Sequence, residues 1–285
     1  MMNKLNYFIV IFFFSSFVFC QNDLLDEISK ETSYKNTFEL PAFKAMKIVN
    51  NQSTKLAEKE DLYLYVAHRF GSIKGGLNSL FGLDYANTKI EILYGLFNNI
   101  QVGFSRESFK KTYNLHVKYG IKKQTEKFPV SIVGYNSINL DTSLDEVLYP
   151  NLDFKERYVY ISQLLISRRF SERFSLQVAP SLVKHNFLTT QSKTDYNYIL
   201  NSGGRIKISK RSSFNIDYSH HLNRLSNSTE KNVLSLGVDM ETGGHVFQLL
   251  FSNTQASDEA GVLTTAEGDW LKGDIFFGFN ILRVF

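Results

Sequence analysis

The sequence predicts an all-β protein: an antiparallel up-and-down transmembrane β-barrel of about 12 strands, preceded by a signal peptide and a short periplasmic segment. Three observations lead to this prediction. Aromatic residues make up 14% of the chain, with 25 Phe and 15 Tyr against one Trp, apolar and polar residues alternate along most of it, and it ends in phenylalanine. Aromatic side chains favour sheets, and a two-residue period gives each strand one apolar and one polar face.

The overall composition agrees with one ordered domain. With 43% hydrophobic residues and a mean hydropathy of -0.18, the chain is too polar for a helical membrane protein and too apolar for a disordered one. The formal net charge is +4, from 32 Lys and Arg against 28 Asp and Glu. A charge so close to balance gives no reason to expect a nucleic-acid partner.

The first 20 residues have the pattern of a signal peptide. Lys4 supplies one positive charge, the run 7–14 is apolar, and polar residues begin at Gln21. This run is too short to span a bilayer. We expect cleavage after Cys20; the alternative is a lipoprotein that keeps and acylates Cys20, which the bulky Phe19 disfavours. The predicted organisation is therefore a signal peptide at 1–20, a periplasmic lead or plug at 21–60 and the barrel at 61–285.

Cys20 is the only cysteine in the sequence. Cleavage after it would leave a mature chain with neither disulfides nor thiol chemistry.

Alternation along the chain predicts where the strands lie. It is clear where Phe214, Ile216 and Tyr218 interleave with polar neighbours. The same pattern predicts strands at 61–71, 86–97, 99–108, 111–122, 128–138, 156–169, 173–185, 195–209, 213–223, 232–241, 244–254 and 271–285. An even strand number is typical of bacterial outer-membrane barrels.

The connections between these strands alternate in length. Short turns are expected at 97–99, 124–126, 169–172, 210–212 and 241–244, and long loops at 71–85, 139–155, 186–194, 224–231 and 255–269. Short turns on one rim and long loops on the other are typical of an outer-membrane barrel with both chain ends in the periplasm. The sequence therefore predicts a location in the bacterial outer membrane, surrounded by its lipid.

Charged residues on the polar rows indicate which way the strands face. Burying them in the dry core of a soluble barrel would be costly unless each were paired, whereas a wet lumen accommodates them. The residues predicted to face the lumen are Glu91, Lys118, Arg205, Lys207, Asp217, His221 and Asp239. The strand at 156–169 is apolar on both faces, so we expect it either to carry a bulge or to lie against an internal plug.

The last strand carries an apolar row that ends at the terminal residue. Counting back in twos from Phe285 gives Ile281, Phe279 and Phe277, with Arg283 interrupting the row. The row resembles the C-terminal signal read by the barrel assembly machinery, which makes that machinery an expected partner.

Several stretches between Leu40 and Gln124 resemble a known family. They are Ala42-Phe43-Lys44, Ile48-Val49-Asn50-Asn51, His68-Arg69-Phe70-Gly71, Leu80-Phe81-Gly82-Leu83-Asp84-Tyr85-Ala86, Tyr94-Gly95, Val102-Gly103, Lys111-Thr112-Tyr113 and Val117-Lys118-Tyr119. They are similar to domain-of-unknown-function family number 5777, which groups predicted barrels of Bacteroidetes-type bacteria. The resemblance implies an outer-membrane location and assigns no catalytic residues.

The sequence gives little support for catalysis, a metal or a cofactor. His220 and His221 are adjacent on a strand, so they point to opposite faces and cannot hold one ion. Ser219 and His221 share a face, but their order is the reverse of that in membrane phospholipases, and the sequence places no Asn to orient the imidazole. We therefore predict no catalytic, cofactor-binding or metal-binding residue.

Three functional hypotheses follow. The first is a non-enzymatic barrel that acts as a narrow channel, a small-solute carrier or a subunit of an envelope complex with a protein partner. The second is a membrane-embedded lipid hydrolase, and the third is a structural or adhesive surface protein that works through its long loops. The lead at 21–60 could fill the lumen, bind a partner or hang in the periplasm.

Overall fold

The computed structural model describes residues 41–188 and 194–285, so the predicted signal peptide and the lead up to residue 40 lie outside the described residues. The described part forms one closed antiparallel barrel of twelve strands. The strands are β1 (Leu62–Ser72), β2 (Ala86–Phe97), β3 (Ile100–Glu107), β4 (Tyr113–Lys122), β5 (Ser131–Leu140), β6 (Tyr158–Arg169), β7 (Phe174–His185), β8 (Tyr196–Lys207), β9 (Ser212–His221), β10 (Val233–Thr242), β11 (His245–Ser252) and β12 (Phe276–Val284). The predicted fold class is confirmed.

Each strand pairs with its neighbours in sequence, and β1 pairs with β12 to close the ring. At this seam Tyr63 lies opposite Val284 and Ala67 opposite Asn280, with a register shift between Arg69 and Ser72. Closure leaves no strand edge unpaired, which a barrel in lipid requires.

Two strands begin three or more residues later than predicted, and the other strand boundaries agree with the prediction within two residues. The strand predicted from 128 begins at Ser131, because Thr125 and Phe128 close a turn and Pro129 has no N–H for a sheet ladder. The strand predicted from 271 begins at Phe276, because Trp270–Lys272 form a short 3-10 helix whose first turn is capped by the Asp269 side chain.

The two faces of the wall differ in chemistry. On β2, the outward Ile90 and Ile92 are about half exposed, whereas the inward Lys89 and Glu91 are buried. Aromatic rings adjoin one another on the outer face near the seam, where Phe277 lies 5.6 Å from Phe70 and 5.4 Å from Phe251 between ring centroids. An apolar outer wall and a polar inner wall suit a barrel surrounded by lipid.

Residues 41–60, which we call the lead hairpin, lie inside the barrel. The chain turns at its tip, where Ile48 N donates to Asn51 O, and a bridge pairs Lys47 with Gln52. The hairpin enters from the short-turn rim, since Arg169, at the end of β6, donates to the carbonyl of Pro41 over 3.3 Å. Its tip reaches Asp217, which lies in the middle of β9.

Residues 253–275, which we call the return loop, enter the barrel from the opposite rim. They carry a short helix, α1 (Glu259–Thr264), all of whose residues are buried. Val262 and Leu263 pack against an apolar part of the wall that includes Ile161 and Leu165 of β6. Strand β6 keeps a constant register with β7, so its two apolar faces reflect contact with an inserted segment rather than a bulge. In residues 41–188 and 194–285 no helix is both long and apolar enough to cross a bilayer.

Candidate functional site

The lead hairpin and the return loop meet at the carboxylate of Glu259. The Asp258 side chain caps α1 by accepting from Gly261 N over 2.8 Å, which places Glu259 at the first helical position. Lys47 of the hairpin donates to Glu259 Oε1 over 2.7 Å, and Gln52 Nε2 donates to the same oxygen over 3.1 Å. The return loop and the hairpin are therefore joined by a buried ion pair.

The barrel wall adds a second cation to this contact. Lys89 Nζ donates to both oxygens of Glu259, over 2.8 and 2.9 Å, and its side chain is fully buried. Burial alone would raise the pKa of Glu259, but the charges of Lys47 and Lys89 outweigh it and hold that pKa below its ordinary value. Glu259 therefore remains ionised at neutral pH.

Further polar groups of the wall surround this contact. Glu91 lies 3.4 Å from Lys89 Nζ and 3.5 Å from His116 Nδ1. Lys118 Nζ donates to Gln52 Oε1 over 3.2 Å. We call Lys47, Lys89, Glu91, Lys118 and Glu259 the lumen cluster. Its wall members alternate with outward apolar residues, which places them on the inner faces of β2 and β4, the strands on either side of β3.

A second wall carboxylate holds the tip of the lead hairpin. Asp217 Oδ2 accepts from three consecutive backbone N–H groups, those of Val49, Asn50 and Asn51, over 3.0, 2.8 and 2.9 Å. Hydrogen bonds to an ionised acceptor are stronger than those between neutral groups. Asp217 therefore fixes the depth to which the hairpin enters.

Glu107, at the end of β3, holds the return loop in a similar way. One of its oxygens accepts from Ser257 N and Oγ over 2.6 and 2.5 Å, and the other accepts from Asp258 N over 2.8 Å. The wall thus captures each inserted segment with one carboxylate.

The residues predicted to face the lumen fall into three groups. Glu91 and Lys118 belong to the lumen cluster, and Asp217 binds the hairpin. Arg205 and Asp239 are buried nearer the short-turn rim, where Arg205 Nε donates to Ser213 Oγ over 3.1 Å and Asp239 accepts from Gln248. Lys207 and His221 are the last residues of β8 and β9, so they lie half-buried at opposite rims of the barrel and take no part in the cluster.

Sequence reasoning missed four residues that contact the inserted segments or belong to them: Lys47, Lys89, Glu107 and Glu259. Lys89 shares the inward face of β2 with Glu91, so strict alternation would have found it. Glu259 had no such signal, because it lies in a segment predicted to be a solvent-facing loop.

The sequence places no Asn beside His221, because the register between neighbouring strands is not visible in it. Asn197 of β8 places Oδ1 2.9 Å from His221 Nε2. Ser219, on the same face as His221, is instead engaged by the hairpin, with Oγ accepting from Asn51 Nδ2 over 3.1 Å. The Ser219 hydroxyl therefore helps to hold the lead hairpin.

The apolar row of the last strand lies on the outer wall. Phe277, Phe279 and Ile281 are half-buried within β12, and Phe285 follows the strand with 62% of its surface exposed. The Arg283 guanidinium lies 4.6 Å from the centroid of the Phe285 ring. Recognition of this row by the assembly machinery stays a prediction.

Within the described residues, no group of three or more His, Cys, Asp or Glu side chains is arranged to hold a metal ion.

Comparison with known proteins adds a family and a fold. A family model described as "Membrane bound beta barrel domain (DUF5777)" matches residues 43–285. The NanC porin structure superposes with a TM-score of 0.51 at 9% identity, covering 78% of this chain and 98% of that one. The KdgM porin gives 0.50 at 7% identity, with coverage of 79% and 99%. At such identities the likeness concerns the fold. The search of curated proteins found no match.

Proposed function

Because the chain belongs to the DUF5777 family of membrane-bound β-barrel domains, we propose that it is a gated, non-enzymatic channel of the bacterial outer membrane. In the described state the lead hairpin and the return loop close the lumen. The return loop is the gate, and the hairpin is the fixed surface against which it closes.

The observation that carries this proposal is the unsatisfied polarity of the inner wall. The two inserted segments leave several buried wall atoms without a protein hydrogen-bond partner, among them Gln101 Nε2, Asn139 Nδ2, Gln163 Oε1, Gln177 Oε1 and Asn201 Oδ1. Folded proteins leave few buried polar groups unpaired. A wall of this kind suits a lumen that fills with water, so we infer that the closed arrangement is one of two states.

The contacts of the return loop favour it as the moving part. Lys89 binds Glu259 in the closed state and lies 3.4 Å from Glu91 on its own strand. When α1 leaves, Lys89 keeps Glu91 as a counter-charge. Opening therefore does not leave Lys89 as an isolated buried cation, which would cost much free energy.

Conductance in planar lipid bilayers tests the gate. The full wild-type chain should be closed most of the time, whereas Glu259→Gln should raise the open probability at least about tenfold, because loss of one partner of a buried ion pair costs about 3–5 kcal/mol. The matched control is Glu146→Gln, which breaks the ion pair with Arg157 outside the lumen cluster; Glu146 is 80% exposed there. The control should behave as wild type.

A folded, heat-modifiable Glu259→Gln barrel that conducts no more than wild type would contradict the gate. Release of fatty acid from phospholipid vesicles by the wild-type chain would instead favour the hydrolase hypothesis.

A further inference from the structure

The place occupied by the Glu259 carboxylate is built as an anion site. Two ammonium groups and one amide donate to it, from Lys47 over 2.7 Å, Lys89 over 2.8 and 2.9 Å, and Gln52 over 3.1 Å. All three donors are at least nine-tenths buried. Donors to both oxygens of one carboxylate define a site with a preferred ligand geometry.

We propose that this place binds the carboxylate group of a small aliphatic organic acid, and that Glu259 occupies it as a tethered competitor when the lumen is closed. The inference rests on the proposed function, because such an acid reaches the site only after the return loop has moved.

Charge favours an anion once Glu259 has left. Lys47 and Lys89, with Lys118 beside them, then face Glu91 as the one remaining carboxylate of the lumen cluster, so the cluster keeps an excess of positive charge. The Lys47 ammonium also lies 5.3 Å from the centroid of the Tyr65 ring, whose face favours the charged form of the lysine. A small anion replaces the lost charge, whereas a cation adds to the repulsion.

The apolar surroundings favour an aliphatic body on that anion. Three and four residues after Glu259, the side chains of Val262 and Leu263 cover Val133, Ile161 and Leu165 of the wall. Departure of α1 uncovers this apolar surface beside the lysines. An acid with a short hydrocarbon chain would reproduce both contacts of α1, the ionic one and the apolar one.

Chemical complementation of Glu259→Ala tests the site. The full chain is refolded in detergent micelles, and the midpoint temperature of heat modification is measured with sodium acetate, butyrate, acetamide or chloride at equal ionic strength. We expect acetate to raise the midpoint of Glu259→Ala in a saturable manner and butyrate to raise it further, with no such rise from acetamide or chloride. The wild-type midpoint should not respond, because Glu259 already fills the site.

Two further variants make the outcome decisive. Glu259→Gln keeps a side chain in the site, and Glu259→Ala combined with Lys89→Met lacks the cation; neither should respond to acetate. If Glu259→Ala does not refold in buffer alone, the folded yield with acetate is compared with the yield in acetamide. An equal yield or midpoint in acetate, acetamide and chloride overturns the site.

The readout separates the two proposals. Heat modification does not depend on conduction, so an acetate response without any conductance would leave the site intact and overturn the channel. If the Glu259→Gln channel opens more often but Glu259→Ala does not respond to acetate, the channel is supported and the anion site is overturned.

Discussion

The lead hairpin and the return loop fill the same lumen, yet different forces hold them. Each is captured by one wall carboxylate that accepts consecutive backbone N–H groups, Asp217 for the hairpin and Glu107 for the loop. In addition to its carboxylate, the hairpin is bound by Gln248 and Gln177, which donate to the carbonyls of Ile48 and Gln52, each over 2.7 Å. The loop instead depends on the ion pairs of Glu259.

This difference indicates which segment yields first. The bonds that Gln248 and Gln177 make to the hairpin are neutral and have no ionic competitor, whereas a carboxylate between lysines can be exchanged for another anion. Segments that open locally are drawn from the less stable part of a fold. We therefore expect the return loop to open while the hairpin remains in place.

The largest expected effect would come from removing the anchor of the hairpin. Asp217→Leu leaves the N–H groups of Val49, Asn50 and Asn51 without their acceptor, and we expect docking of the hairpin to weaken by about 3–5 kcal/mol, since each unpaired buried donor costs about 1–3 kcal/mol. Limited proteolysis in detergent should then cleave near Lys47 and Lys55 in the variant alone. The matched control is Glu107→Leu, which removes the buried wall carboxylate that bonds to the return loop and should leave the hairpin protected. Equal protection of both variants would contradict the role of Asp217.

A smaller effect is expected when the apolar anchor of the return loop is truncated. Leu263→Ala should weaken docking of α1 by about 3 kcal/mol, as large-to-small changes in packed cores do. Proteolysis should cut the return loop and spare the hairpin. Leu271 lies in the same loop and is 97% exposed, so Leu271→Ala should change the cleavage of neither segment. Cleavage of both segments in Leu263→Ala would show that they move as one unit.

Replacing one oxygen of the wall carboxylate of the loop should have a still smaller effect. Glu107→Gln keeps one carbonyl acceptor for the Ser257 or Asp258 N–H but places an amide donor against the other, so we expect a loss of about 2 kcal/mol. Amide hydrogen exchange at Ser257 and Asp258 should become faster, with exchange at the hairpin tip unchanged. Unchanged exchange at both places would mean that Glu107 adds nothing to the ion pairs of Glu259.

The smallest effect on either segment is expected from a change on the outer wall. Phe285→Ser touches neither segment and removes a ring that is mostly exposed, so the assembled barrel should lose less than about 1 kcal/mol. If the assembly machinery reads this ring, the amount of protein in the outer membrane should fall while the inserted fraction stays heat-modifiable. Phe285→Trp should keep both properties. Wild-type levels of the Ser variant would show that the ring is not read.

The wall of the barrel could be predicted from the sequence far better than its contents. The two-residue period found all twelve strands, because each strand pairs with its sequence neighbours and one face meets lipid. For the lead, three alternatives stayed open, since a polar segment with scattered apolar residues suits a lumen and a periplasm alike. Glu259 could not be predicted, because its burial depends on a loop folding back between strands. Asp258 followed by Val262 and Leu263 was the only local sign of a short capped helix there.

The position of the hairpin tip at the seam has a consequence for how the barrel folds. Asn50 Oδ1 accepts from Arg69 of β1 over 2.8 Å, and the same guanidinium donates over 2.8 Å to Asn280 of β12, 211 residues further along the chain. Bringing such distant strands together carries a large entropic cost and slows folding. The tip offsets part of that cost by binding both terminal strands at once, so ring closure and hairpin docking stabilise each other. Loss of the lead should therefore first be seen as a slower or failed refolding reaction, before any change in permeation is measurable.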